Sequence, residues 1–524
     1  MTKGKTALMA SVAAIAFVAS PAFAQTPTLE QRVQALEQQL AASQAKSDDD
    51  HTRLSTLEQN FNYASWTFDY ARPTITTGDG RFSMAFRARF QFDQANFMQA
   101  NPLTAPTGVE FKDLSSGTVV RRAFFGVEGM AFKDFWYELR FNGGGSDGGT
   151  NGATEGDPML SLARVAYKGI DHFQINLGII EPVFMFEGTT SSGQLMFMER
   201  PEIDNIAADT YGAGDARRGI EMTFQKQGMF KGDDNLVVSA AFTGGKTGAN
   251  TNHTAASTSL PAISDEQTQA LGRISYRAWS DGFSNLSFGV SGAEVLYSGA
   301  GNGTTTNQVI NLRDRPQIRE DGNRLIATGS LAAKTANMIA ADMGFNWQNF
   351  FVGGEWAQFQ VDRCQTVAGN CSAPYTTGAG VVAGTGHPTF TGYYVEGSWI
   401  LTGETKTYTI TGTNNEVGGF GAPIPSAPFS FTGDSWGAWE LTARYSSTDL
   451  NYRNDLTAAQ GGIFGGRETD LLFGVNWYLN RNVKLQINDN IVSVNKLSAP
   501  LSVPGTVQKG QNLNILGFRM QFTN

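Results

Sequence analysis

The chain has 524 residues, with 39 Lys and Arg against 48 Asp and Glu and a net charge of −9. That acidic balance argues against nucleic acid as a partner, and beyond the N-terminus no run of about 18 apolar residues offers a transmembrane helix. Gly (60) and Phe (36) are abundant, charged residues are sparse at 17% and mean hydropathy is −0.24, the profile of a membrane barrel whose lipid-facing and lumen-facing residues average out.

Residues 1–24 read as an export leader. Lys3 and Lys5 are its basic start, Leu8–Ala19 its apolar run and Ala22-Phe23-Ala24 its cleavage site, so the mature chain is expected to begin at Gln25, in an oxidising compartment. Removing Lys3 and Lys5 leaves 37 cations against 48 acids, a net charge of −11. The next segment, 25–61, carries Leu29, Val33, Leu36, Leu40, Leu54, Leu57 and Phe61 in one 4-3-4-3 spacing, with Ser43, Ser47 and Asp50 at the central positions. That pattern predicts a short α-helical coiled coil with a weak middle, about 50 Å long if continuous. The alternative is a linker with two short amphipathic helices.

From residue 62 the period changes to two. In Arg81–Asp93, Phe82, Met84, Phe86, Ala88, Phe90 and Phe92 share one face, and Arg81, Ser83, Ala85, Arg87, Arg89, Gln91 and Asp93 the other. Phe135–Asn142, Ala163–Lys168, Phe173–Ile179, Trp439–Tyr445, Val483–Asn488 and Leu516–Phe522 alternate in the same way. A soluble sandwich strand shows this alternation too, but it needs a partner sheet for every apolar face. The chain is therefore read as all-β, a transmembrane antiparallel β-barrel. An Arg placed in lipid near the bilayer midplane costs about 2–4 kcal/mol, so the arginine face belongs to the lumen. Gly/Thr/Asn/Ser-rich stretches 143–156, 243–260 and 367–385 read as long loops, and Leu479–Asn482 as a short turn. Long loops at one end and short turns at the other are the expected layout.

The same parity puts Arg81, Arg87, Arg89, Arg122, Arg140, Arg164, Lys168, Arg217, Arg444, Lys484 and Arg519 in the lumen, with Glu128, Glu138, Glu221, Glu396 and Glu440. The cationic excess, clearest in the N-terminal strands, predicts a channel that concentrates small anions; pairing of these arginines with the inward glutamates is the competing reading for any single one. The four His (His51, His172, His253, His387) lack metal-ligand spacing and an evident Ser partner, so neither a catalytic residue, a cofactor nor a metal is expected. Cys364 and Cys371, the only cysteines, lie seven positions apart in an exported chain, and one disulfide closing a loop lobe is expected.

Leu177–Arg200, LGIIEPVFMFEGTTSSGQLMFMER, resembles the hallmark segment of the phosphate-selective porin O and P family. Arg121-Arg122-Ala123 with Gly129, Gly392–Glu396 leading to Leu401–Glu404, Gly437–Glu440 with Ala443–Tyr445, and Asn476–Asn480 resemble further family motifs in the same order. The chain departs from the pattern with Pro182-Val183-Phe184 in place of a Pro-Phe pair and with Phe522-Thr523-Asn524 at its end. The resemblance implies an outer-membrane barrel of about sixteen strands over 62–524, a homotrimer, and a basic constriction passing phosphate or polyphosphate. It also implies that 187–218 holds a loop folded into the lumen, with Glu187, Glu199 and Arg200 as its latch. The expected partners are small anions such as phosphate, outer-membrane lipid and, through a periplasmic coil, peptidoglycan. A general diffusion porin and a barrel-anchored tether to the cell wall are the alternatives.

Overall fold

The structure, a computed structural model, describes residues 28–524 except 70, 101–110, 146–158, 213–215, 247–265, 300–307, 368–369, 376–380, 411 and 413–415. The leader over 1–24 lies outside the described residues, as do most of loops 143–156 and 243–260 and the side chains of Leu57 and Phe61. The chain forms two units, Met1–Tyr63 and Ala64–Asn524.

In the first unit a single helix, α1, spans Leu29–Tyr63. A reciprocal pair starts it: Gln31 N–H donates to Thr28 Oγ1 at 3.4 Å, and Thr28 N–H to Gln31 Oε1 at 3.2 Å. The helix continues through Ser43, Ser47 and Asp50, so the weak centre of the heptad pattern does not break it. Leu29, Val33, Leu36, Leu40 and Leu54 are exposed along it, and one chain alone does not bury that seam. No helix among the described residues is long and apolar enough to cross a membrane.

The second unit is a closed antiparallel barrel of sixteen strands. They are β1 Ser83–Gln99, β2 Gly117–Ala131, β3 Phe135–Asn142, β4 Met159–Ile170, β5 Phe173–Ile180, β6 Arg217–Gln227, β7 Asn235–Lys246 and β8 Thr268–Ser280. Then follow β9 Asn285–Tyr297, β10 Leu331–Trp347, β11 Phe350–Val367, β12 Thr389–Ile400, β13 Ala438–Tyr452, β14 Ile463–Tyr478, β15 Val483–Asn495 and β16 Asn512–Thr523. Each pairs with the next, and β16 returns to β1 in a register from Leu513↔Gln99 to Thr523↔Arg89, so the wall has no free edge. A short hairpin (Ala64–Asp69 and Arg72–Thr77) pairs with the start of β1.

The period-two alternation sets the faces. In β1, Arg89, Gln91, Asp93, Ala95 and Phe97 are buried inside while Phe90 and Met98 are exposed outside. In β16, Ile515, Arg519 and Gln521 are inside, and Leu516 and Met520 outside. Aromatic pairs gather toward the short-turn end, among them Phe135–Tyr167, Phe173–Phe224, Phe350–Trp399 and Trp439–Trp477, where an interfacial girdle belongs.

Three differences from the sequence reading bear on the lumen. β1 begins at Ser83, so Arg81 lies in the turn before it, exposed and paired with Asp79 at 2.6 Å rather than standing in a ladder. At the end of β4 the register shifts between Tyr167 and Ile170; Lys168 falls in that break and is exposed, so strand parity does not carry it into the interior. The division into long loops and short turns has one exception: 401–437, between β12 and β13, is long although it lies at the short-turn end. It turns back inward. Gln225 Nε2 donates to Gly412 O, Ser275 Oγ to Gly418 O and Thr190 Oγ1 to Phe420 O, which places this segment against the inner faces of β6 and β8.

Cys364 and Cys371 form a disulfide, with Cα atoms 5.4 Å apart, in the hairpin that continues β11 into Asn370–Pro374.

Candidate functional site

The segment between β5 and β6, 181–216, folds across the inside of the barrel. It contains a turn of 3₁₀ helix at Glu187–Thr189 and a helix, α2, at Glu202–Tyr211. α2 ends on Gly212, which adopts φ 75° and donates its N–H back to the helix; the left-handed conformation is one that glycine takes without a Cβ penalty. Arg217 at the head of β6 donates to the C-terminal carbonyls of Ala208 and Asp209 at 3.1 and 3.0 Å, where the helix dipole favours a cation.

This segment touches the wall nearly all the way round. Phe186 N–H donates to Glu355 Oε1 on β11, Tyr211 Oη to Asn337 O on β10, Met198 N–H to Asn488 Oδ1 on β15, and Lys484 Nζ to Leu195 O at 2.9 Å. Two wall glycines make the approach possible. A Cβ on Gly392 would sit 2.5 Å from Ile203 of α2, and one on Gly517 would sit 2.8 Å from the sulfur of Met198. The segment therefore narrows the lumen, and described residues of 298–330 and 401–437 pack against it. From 298–330, Gln317 donates to Glu202 at 2.7 Å, and Asp314 accepts from Asn205 at 2.9 Å.

Ion pairs hold it. Arg444, fully buried on β13, donates to Glu187 Oε1 at 2.7 Å, to Glu396 Oε2 at 2.7 Å and to the carbonyl of Glu199 at 3.0 Å, with Phe197 packed on its guanidinium at 4.3 Å. Arg519 on β16 grips Asp93 with two nitrogens at 2.6 and 2.5 Å and reaches Glu199 Oε1 at 2.9 Å and the carbonyl of Met198. Arg121 forks onto both oxygens of Glu199 at 2.7 and 3.1 Å, and Arg122 stands 3.5 Å from the same carboxylate. Arg200 turns back instead on its own segment, donating to the carbonyls of Glu187 at 3.0 Å and Thr190 at 2.7 Å.

Arg121 was outside the parity set, because two consecutive residues of a regular strand face opposite ways. A register shift between Gln91 and Phe92 pairs Gln91 with Arg122 and Phe92 with Val120, leaving Arg121 as a bulge residue. The bulge turns both arginines to Glu199. Adjacent arginines in an otherwise alternating strand were the available signal.

The rest of the N-terminal arginine set stands on the same wall. Arg87 lies 3.0 Å from Glu128 and 3.4 Å from Glu138; Arg164 donates to Glu138 at 2.8 Å; Arg140 donates to Glu181 at 2.7 Å. Arg89 differs. It donates to Ser192 Oγ at 2.6 Å, Ser191 Oγ at 2.7 Å and Thr523 Oγ1 at 3.3 Å, with no carboxylate oxygen within 4 Å among the described residues. Arg72, Arg87, Arg89, Arg121, Arg122, Arg140, Arg164 and Arg519 share five carboxylates within that reach, those of Asp93, Glu128, Glu138, Glu181 and Glu199. Within that reach eight cations meet five anions, and Glu416 is a further charge partner of Arg89 and Arg140 at longer range.

Inward acids missing from the sequence list gather elsewhere. Asp342 on β10 pairs with Arg273 at 2.6 Å, and Glu355, Glu468 and Asp470 are buried. At the long-loop end a cavity of about 240 Å³ is lined, among the described residues, by Lys112, Arg313, Arg324, Lys496 and Lys509, with Asn311 and apolar side chains and no carboxylate. Burial first, then Lys112 and Lys509, push Lys496 down to about 8.

The family model of phosphate-selective porin O and P matches residues 94–523. A protein of Caulobacter vibrioides described as uncharacterized is 25% identical over 463 residues, covering 86% of this chain and 75% of its own length. Among solved structures, OmpT of Vibrio cholerae is similar at TM-score 0.44 with 7% identity, covering 85% of this chain and 98% of its own. An anion-selective porin from Comamonas acidovorans is similar at TM-score 0.44 with 13% identity, covering 84% and 100%.

Proposed function

The chain belongs to the phosphate-selective porin O and P family and is an outer-membrane channel, and from that premise we propose that it passes small anions, phosphate foremost, by diffusion through the constricted lumen. Arg89 carries this reading. Its three guanidinium nitrogens donate to three hydroxyl oxygens and no carboxylate oxygen of the described residues lies within 4 Å, which leaves the Ser191 and Ser192 hydroxyl hydrogens available to a second acceptor. A phosphate oxygen suits such a cradle, since charge-assisted hydrogen bonds to an anion are roughly twice as strong as neutral ones. The surplus of arginines on the surrounding wall supports it, and the basic cavity at the long-loop end would raise the local anion concentration at the mouth. Arg87, Arg122, Arg140, Arg164, Arg217, Arg444 and Arg519 belong to the proposed pathway as its field rather than as its contacts, because each already has protein partners. Assembly as a homotrimer, with three α1 helices burying their leucine seams in a periplasmic coil that reaches toward peptidoglycan, completes the proposal; it is supported by the exposed Leu29, Val33, Leu36 and Leu40.

Single-channel recording in a KCl gradient, with phosphate added to block chloride current, tests it. The wild-type channel is expected to be anion-selective and phosphate-blocked, and Arg89→Ala to need about tenfold more phosphate for equal block. A cation-selective wild type, or equal block in the variant, would overturn it.

A further inference from the structure

A second site lies on the other side of α2. Glu202, in its first turn, meets Glu468 and Asp470 of β14, and one oxygen from each of these three carboxylates lies within 4.8 Å of the other two. Glu468 and Asp470 are two apart on one strand and so share its lumen face. All three side chains are buried, at 1%, 0% and 0% exposure. Among the described residues, no Lys or Arg nitrogen lies within 4 Å of any of them.

Their hydrogen bonds leave most of the oxygens over. Glu202 Oε1 accepts from Gln317 at 2.7 Å and Ser446 at 3.2 Å, and Asp470 Oδ2 accepts weakly from Asn490 at 3.5 Å. Among the described residues, Glu202 Oε2, both oxygens of Glu468 and Asp470 Oδ1 have no donor. One neutral group beside them is also left over: Asn490, fully buried, turns its amide nitrogen to Asp470, and its carbonyl oxygen has no partner among the described residues.

A buried, unpaired carboxylate is costly, and three together add mutual repulsion. An all-oxygen set of carboxylates with an amide oxygen beside them is the donor chemistry of a hard divalent cation. Two ligands at a Ca–O distance of about 2.4 Å lie at most about 4.8 Å apart, the span within which these oxygens fall. We infer that Glu202, Glu468 and Asp470 bind one Ca²⁺ per chain. The ion ties the N-terminus of α2 to β14, just as the arginine pairs of Glu199 tie the chain three residues earlier. The site does not depend on which solute the channel passes.

The test uses the full-length detergent-solubilised protein, stripped with EGTA and dialysed against Ca²⁺, with metal content and thermal unfolding measured beside Glu468→Gln and Asp470→Asn. Wild type is expected to retain about one more Ca²⁺ per chain than either variant and to unfold at a higher temperature with Ca²⁺ than with EGTA. Each variant, having lost a direct ligand, is expected to bind at least about tenfold more weakly, since even outer-shell changes cost that much. Equal Ca²⁺ in wild type and variants, or the same wild-type unfolding temperature in Ca²⁺ and EGTA, overturns the assignment and leaves shared protons as the neutralising charge. If neither variant folds, the wild-type Ca²⁺ content and its shift against EGTA decide the matter alone.

Discussion

Two stretches of the same lumen wall solve the burial of charge in opposite ways. Along β1–β5 and β16, opposite charges lie within hydrogen-bond reach, and Arg519 with Asp93 and Arg121 with Glu199 make two-pronged pairs. On β14, Glu468 and Asp470 face Glu202, and no Lys or Arg nitrogen of the described residues lies within 4 Å of them. The strands of both stretches alternate equally well, so alternation sends a polar side chain inward without deciding what it meets there. The first stretch holds its loop with the chain's own cations and keeps a surplus; the second calls for a cation from solution. The anion preference of the lumen, if it follows the surplus, is therefore a property of one side of the barrel rather than of its whole lining.

The contrast can be broken most forcefully at Arg444, the buried cation shared by Glu187 and Glu396. Arg444→Met leaves two buried carboxylates without their guanidinium, and a loss of about 3–5 kcal/mol in unfolding free energy is expected from denaturant titration of the refolded barrel. A variant as stable as the wild type would show that these acids are protonated and that the latch is not ionic.

Charge reversal on the basic stretch should alter selectivity rather than fold. Arg87→Glu with Arg89→Glu is expected to leave a folded barrel and to shift the reversal potential in a KCl gradient toward cations. Most of the shift should come from Arg89→Glu, because Arg87 already has Glu128 and Glu138 beside it. An unchanged reversal potential in the folded double variant would remove these residues from the ion path.

The smallest effect is expected at the mouth. Lys496, with its ammonium pushed down to about 8, is charged below that pH and neutral above it. Anion preference should therefore decline modestly as pH rises from about 7 to 9, and Lys496→Met should remove that part of the pH dependence. A preference that is flat with pH in the wild type would mean that the cavity lies outside the path taken by the ions.

Much of the barrel was legible because its rule is local. Alternation in Arg81–Asp93 assigned Arg87, Arg89, Gln91 and Asp93 to the interior, since a strand's successive side chains point opposite ways wherever the strand lies. The rule failed where a strand stops being regular. Arg81 belongs to a turn, Lys168 falls in a register break, and Arg121 rides a bulge that the residue order does not announce. The helix at Leu29–Tyr63 was readable from its heptads, whereas its Leu29, Val33, Leu36, Leu40 and Leu54 stay exposed in the single chain.

What the sequence by itself determined is therefore the local periodicity: a helix followed by strands with one apolar and one polar face, and the resemblance of Leu177–Arg200 that anticipated a segment inside the lumen. Only the tertiary structure decided which charges meet. Closing β16 onto β1 brings Arg519 to Asp93 across 426 positions of chain, and folding 181–216 inward brings Glu187 to Arg444 across 257 and Glu202 to Glu468 and Asp470. The reason is physical. The face a residue occupies follows from backbone geometry over two or three residues, but the electrostatic partner it finds depends on strand register and loop path, which are settled by the packing of the whole barrel.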